Sequence, residues 1–429
     1  MRTSLLGLVV CGMVAAVCWA ADVAPTTSPT LQSLVDDLRV RGMPTRIEDL
    51  RQPEVPPAEN GVVLLRQAID KLDPKASGPR NSADVCPPGL PRTPEWFAAA
   101  EASEKANAEA MALARQARIK GKSDWGERPT SPLMDWFRQA ESLSPVRGVA
   151  NAIADSAELS HFRGRDDEAF EKLHDMEFIA TSTSGRAFLV AKLVAAGIRA
   201  LEPTMVLAID LKVGDKDGHV KPEVVQQFIK TLLDDRPLRE QFARAIREER
   251  VLLLDHLQTP AGRMIAFTHA NKMPEVIAYY DAFAEAAFAP IWQQPQPPAA
   301  PPGLEIFSAN RARLALEQQV LLRRISAVAL AVALYRHDTG NYPAALQDLA
   351  PKYLASVPVD PFSREKGPLL YRRAMGGQRP MVGSVGEDGA EARVPDELLP
   401  PEPNYGWPRR EPGGDDDVWL DLSGWRQQR

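Results

Sequence analysis

The sequence predicts a mainly helical protein in two parts, a large all-α region followed by a distinct C-terminal module that opens with one long helix. Three observations predict this. Apolar residues recur at three- and four-residue intervals through much of residues 31–289. Prolines cluster between those stretches and punctuate them. Residues 290–303, PIWQQPQPPAAPPG, cannot be helical, because Pro290, Pro295, Pro297, Pro298, Pro301 and Pro302 lack amide donors and favour an extended backbone. The expected organisation is an export signal at 1–20, a helical domain at 21–289, a Pro-rich linker at 290–303 and a C-terminal module at 304–429.

Each helix rests on its own pattern. Leu31, Leu34, Val35 and Leu38 share one helical face, as do Val62, Leu65 and Ile69. Thr93 followed by Pro94 is a helix start, and an alanine-rich helix is expected from Pro94 to about Ile119. Between Val149 and Ala180, small residues lead to the polar break Arg163-Gly164-Arg165-Asp166, after which Ala169, Phe170, Leu173, Met176 and Ile179 share a face. This helical hairpin resembles one tetratricopeptide unit, but a solenoid needs about three repeats and no second copy is evident, so an ordinary αα-hairpin is expected. Ala187 to Leu211 is the most apolar stretch of the mature chain. Lys192, Arg199 and Glu202 fall on one face of it, which predicts a core helix with one wet edge. A further amphipathic helix is expected from Arg239 to Gln258.

The chain's start has the three parts of a secretory signal: Arg2, an apolar run from Leu5 to Val17, and small residues before a cleavage point after Ala20. The apolar run is shorter than the ~20 residues a membrane span requires. The expectation is export to the periplasm or the outside, with no stable membrane span once the signal is removed. Two of the three cysteines lie inside the signal, so cleavage leaves Cys86 without an intramolecular partner. The formal charge of −6 is mild and no basic block interleaves with aromatics, which disfavours nucleic acid as a partner.

Past the linker, Leu314, Leu321, Ile325, Val328, Val332 and Tyr335 form one stripe on a helix from about Ile306 to His337, stopped at Thr339-Gly340-Asn341. Then come Gly340-Asn341-Tyr342-Pro343, Leu346 and Leu349, Pro351-Lys352-Tyr353-Leu354, and Val357-Pro358-Val359-Asp360-Pro361-Phe362. Tyr342 and Tyr353 can pack back on the helix, and Leu346 and Leu349 fit one short helical turn. Ser384-Val385-Gly386-Glu387-Asp388-Gly389 and Gly413-Gly414-Asp415-Asp416-Asp417-Val418 follow.

In this order the pieces resemble the globular head of the type II secretion system protein G family, the major pseudopilin, over roughly residues 306–422. The resemblance implies an α+β module, a long helix laid against an antiparallel sheet of two or three strands. It also implies a structural calcium ion held by Asp388, Asp415 and Asp417, and hard oxygen ligands from two converging loops suit calcium. The chain departs from the family in its ordinary signal, in the charged character of the long helix, and in the Pro-rich insertion at 390–412 with Glu397, Glu402 and Glu411. Filament assembly is therefore not expected. More loosely, the whole chain resembles exported proteins of planctomycete-type bacteria that carry this C-terminal module, a similarity that implies no activity.

No motif marks a catalytic centre. There is no H-E-x-x-H, no G-x-S-x-G and no P-loop, and His161, His174, His256 and His337 are scattered. Asp215-Lys216-Asp217-Gly218 has the centre of a calcium-binding EF-hand loop, but Val213 and Val224 stand where end ligands belong, which leaves a polar turn. Asp166-Asp167 and Asp234-Asp235 stand at helix starts, where they suit the macrodipole. The expected function is that of a non-catalytic envelope protein whose partners are envelope or secretion-system proteins. The alternatives are a hydrolase with a site in the helical domain and a component associated with a type II secretion apparatus.

Overall fold

A computed structural model describes residues 29–50, 54–73, 75–76, 78–81, 92–127, 132–186, 189–201, 211–293, 295–299, 310–374, 379–387, 389 and 418–421. The signal segment, Cys86, Glu202 and the three expected calcium ligands lie outside these residues. The described chain is mostly helical with a small antiparallel sheet near its end. Its helices are α1 (Pro29–Val40), α2 (Val62–Asp70), α3 (Pro94–Ala106), α4 (Ala108–Lys120), α5 (Pro132–Phe162), α6 (Asp166–Ser184) and α7 (Leu189–Arg199). They continue with α8 (Pro222–Leu233), α9 (Arg236–Gln258), α10 (Pro260–Thr268), α11 (Met273–Glu285) and α12 (Asn310–Thr339). Strands β1 (Leu370–Ala374), β2 (Arg379–Ser384) and β3 (Val418–Asp421) form the sheet in that order.

The punctuation read from the sequence operates locally. Thr93 Oγ1 accepts from the Trp96 amide at 3.2 Å, and Pro94 occupies the first turn of α3. Gly340 takes φ 73° and its amide returns to the Arg336 carbonyl, closing α12. One expected element divides in two. The alanine-rich helix breaks at Asn107, which is buried and ties a neighbouring loop to the helix junction. Its Oδ1 accepts from the Asp73 amide at 2.8 Å, and its Nδ2 donates to the carbonyls of Ser103 and Ala76. A polar side chain with local and distant backbone partners outweighs alanine propensity at that one position.

Helix α5 stands at the centre of the helical region. It packs on α6 as the expected hairpin and also touches α2, α3, α4 and α7, and every residue from 149 to 160 on it is buried. The hairpin turn is locked to the polar turn at 214–219. Gly218 accepts from the Asp166 amide at 2.8 Å. A Cβ on Gly218 would lie 2.5 Å from the Gly164 carbonyl oxygen, so this approach needs glycine. Asp166 is buried and does more than favour a helix start: its carboxylate accepts from the Lys212 amide at 3.0 Å and meets His161 Nδ1.

The apolar stripe of α12 is buried. Leu321, Ile325, Val328 and Val332 belong to one core that runs from Val62 through Phe170 and Phe228 to Val382 and Val385. Burial of each such side chain is worth about 1.5–3 kcal/mol. Helix α12 touches α7 and α8 from the helical region, and β2 and the short Leu346–Leu349 turn from the C-terminal region. Packing therefore continues across the Pro-rich segment. Two adjacent arginines fasten the contact: Arg323 donates to the Thr231 carbonyl at 2.5 Å and the Leu232 carbonyl at 3.3 Å, at the end of α8. Arg324 bonds Asp235 at 3.0 Å and the Val359 carbonyl at 2.6 Å.

Candidate functional site

The C-terminal motifs meet at Asp360. Its carboxylate is buried and accepts three hydrogen bonds, from Ser384 Oγ at 2.9 Å, the Val385 amide at 2.8 Å and the Phe362 amide at 2.9 Å. Burial pushes the Asp360 carboxyl above its ordinary value, and these donors pull the other way. The prolines on either side of Val359 and Asp360 hold the extended turn that aims the carboxylate inward. The chain then leaves β2 through Ser384, and Gly386 donates back to Ser384 Oγ at 3.2 Å. Gly389 takes φ 72°, and a Cβ there would lie 3.0 Å from Arg364 Cγ and 3.2 Å from the Phe362 carbonyl oxygen. Gly389 is thus seated against the Asp360–Arg364 turn.

Asp388, Asp415 and Asp417 themselves lie outside the described residues. The strand pairing bears on them indirectly. Ser384 pairs with Val418, so the chain following Asp417 enters the sheet beside the residue from which the Ser384–Gly389 turn departs. Among the described residues, no group of three or more His, Cys, Asp or Glu side chains is arranged to hold a metal ion. Asp215 and Asp217 are exposed on the polar turn.

The helical region holds charge that the sequence reading placed in solvent. Two of the three residues expected to form a wet edge on α7, Lys192 and Arg199, are instead buried. Lys192 Nζ bonds Glu248 Oε2 at 3.0 Å and donates to the Arg186 carbonyl, while Arg199 Nε bonds Glu177 at 3.1 Å. Burial holds the Lys192 ammonium below its ordinary range and pushes the neighbouring Glu249 carboxyl up. Partners on α9 and α6, distant in sequence, neutralise charges that helical periodicity alone assigns to water.

A second cluster lies on α5. Asp155 and Glu158 are buried three residues apart and face Arg80 and Arg92, with Arg80 Nη2 at 2.9 Å and Arg92 Nε at 2.5 Å from Glu158. Arg80 Nε lies 3.1 Å from Asp155 Oδ1. Burial pushes the Asp155 carboxyl up to about 7, with Arg80 opposing and Glu158 adding to the shift. On the next face, Lys172 Nζ donates to Ser160 Oγ at 2.7 Å and to the Ser156 carbonyl at 3.2 Å, and Glu104 accepts from Ser156 Oγ at 2.6 Å. The sequence signal for both clusters is the set of acids and serines embedded in a run of small residues on a central helix, which require buried partners.

A shallow apolar groove of about 340 Å³ lies at the end of α11, bordered by Ala282, Ala286, Ala289 and Pro295 with Glu285 and Gln293. No protein-family model matches the chain, and comparison with curated proteins and with solved structures finds no match. No helix among the described residues is long and apolar enough to cross a membrane.

Proposed function

We propose that the chain is an exported, non-catalytic envelope protein whose C-terminal, pseudopilin-like module serves a structural or partner-binding role. The observation that carries this reading is the occupancy of α12. Its apolar stripe is covered on one side by α7 and α8 and on the other by β2 and the Leu346–Leu349 turn. A helix whose apolar faces are already buried within its own chain has none left for lateral packing in a filament. The junction of Asp360 with Ser384 and Val385 supports the module reading, because it joins two of the motifs on which the resemblance rests. Calcium at Asp388, Asp415 and Asp417 belongs to this proposal as a structural ion that would tie the closing loop to the Ser384–Gly389 turn. The groove beside α11 supplies a surface of the kind a partner uses.

The test is capture of partners from envelope extracts with the full chain, with and without a chelator, beside thermal unfolding in calcium. The reading expects retained partners and a calcium-dependent rise in melting temperature. Loss of both outcomes removes the binding role and the metal together. Recovery of secretion-apparatus proteins would instead favour association with that machinery.

One contact favours the hydrolase alternative, the Lys172–Ser160 pair, since a lysine held below its ordinary range can act as base to a serine. Two features oppose it. Ser160 is fully buried, and the ammonium has further partners in the Ser156 carbonyl and Glu104. Labelling of Ser160 by a fluorophosphonate would establish the alternative, and the structural reading expects none.

A further inference from the structure

We propose that the groove at the C-terminal end of α11 docks an extended, proline-containing segment of a partner protein that carries a basic residue. The inference deepens the partner-binding reading and rests on it. Two observations lie on this surface and a third adjoins it in the chain. It is lined by Ala282, Ala286, Ala289 and Pro295, a mostly apolar surface open to solvent. Two large rings flank it in sequence and stay exposed, Phe288 at 54% and Trp292 at 38%. Beside them stands Glu285, an exposed carboxylate with no hydrogen bond or ion pair among the described residues.

Each feature restricts the occupant. An open strip suits an extended chain better than an enclosed small molecule. Alanine methyls and exposed aromatic rings match a polyproline II segment, which is ordered before it binds and turns once every ~3 residues. The protein's own strap follows that repeat: Pro295 and Pro298 are half-buried while Gln296, Pro297 and Ala299 are exposed. Proline thus already lines this groove, and no other described residue covers it. Glu285, without a partner among the described residues, completes the match by complementing a positive charge, which selects a basic residue in the segment. An acidic segment would meet like charge there.

The experiment is a fluorescence-polarisation titration of the full chain against a labelled Pro-Pro-Ala repeat peptide ending in arginine. Saturable binding is expected, weakened about tenfold or more by Trp292→Ala and by Glu285→Lys, a loss comparable to one ion pair or one ring contact. Glu285→Lys should regain affinity for the same peptide with its arginine replaced by glutamate. Both substitutions lie on exposed side chains, and unchanged circular dichroism checks that each variant folds. Absent saturation, equal affinity in both variants, or equal binding of a proline-free peptide overturns the proposal. So does a dimer in sedimentation that Trp292→Ala dissolves, because a second copy would then be the occupant. If envelope partners are captured equally by wild type and both variants, the groove assignment fails while the wider partner-binding reading stands.

Discussion

Asp360 and Ser384 stand 24 residues apart in sequence and meet through a 2.9 Å hydrogen bond inside the C-terminal core. The same carboxylate receives the amides of Phe362 and Val385, so one side chain satisfies three buried donors. Replacement by alanine leaves all three without an acceptor, and each unsatisfied buried group costs about 1–3 kcal/mol. Asp360→Ala is expected to destabilise the protein by several kcal/mol, read as a lower urea midpoint. Asp360→Asn should fall between the two, since its amide keeps one acceptor and turns donors toward donors.

Asp155 gives a pH dependence of definite sign. Its carboxyl rises from an ordinary 3.8 to about 7 in the folded protein, so folding favours the protonated form. Its contribution to stability is complete below the unfolded value and is lost as pH rises through the folded one. The stability difference between wild type and Asp155→Asn should therefore decline, to the disadvantage of wild type, from about pH 4 to about pH 7. It should be flat on either side. Chemical denaturation of both proteins across that range measures it, and a difference that does not change with pH would refute the assignment.

Lys192 and Glu248 form a buried pair, and removal of Glu248 strands the Lys192 ammonium. Glu248→Ala is expected to cost about 3–5 kcal/mol. A double replacement with apolar residues of similar volume should recover most of that loss. Arg244 also bonds Glu248 at 2.7 Å, so recovery will be incomplete unless it is replaced too.

Two glycines separate strain from space. Gly121 and Gly218 both adopt positive φ, at 74° and 76°. A Cβ at Gly121 meets nothing within 4 Å, whereas at Gly218 it lies 2.5 Å from the Gly164 carbonyl oxygen. Gly121→Ala should cost only the left-handed penalty of about 1–2 kcal/mol. Gly218→Ala should cost clearly more, because the hairpin turn must move, and paired thermal melts compare them.

The docking of α12 can be probed at Arg324. Its bonds to Asp235 and to the Val359 carbonyl connect the start of α9 with the Asp360 turn. Arg324→Ala should raise hydrogen exchange at both places together. A purely local role would change only one of them.

Local signals made much of this legible in sequence. The Thr93-Pro94 start, the Arg163–Asp166 hairpin turn, the stripe of α12 and its Gly340 stop all depend on residues within a few positions of one another. The expected packing of Tyr353 onto the long helix also occurs, with its ring centroid 5.8 Å from that of Tyr335 and its hydroxyl on Asp338. What escaped depends on distant partners. Lys192 looks solvated until Glu248, 56 residues later, is brought beside it. Asn107 looks like an ordinary helix residue until the loop at 73–76 closes on its amide. The groove beside α11 combines a helix end with the proline strap, and neither alone marks a surface.

The two-sided burial of α12 has a consequence for anyone who would cut the chain at its proline strap. A fragment starting there would carry Leu321, Ile325 and their neighbours without α8 to cover them, and Arg323 without the Thr231 carbonyl that receives it. Such a fragment is expected to clump or to melt partly when expressed alone, and to recover on addition of the separated helical piece. The stretch that looks most separable in sequence takes part of its cover from the helices before it.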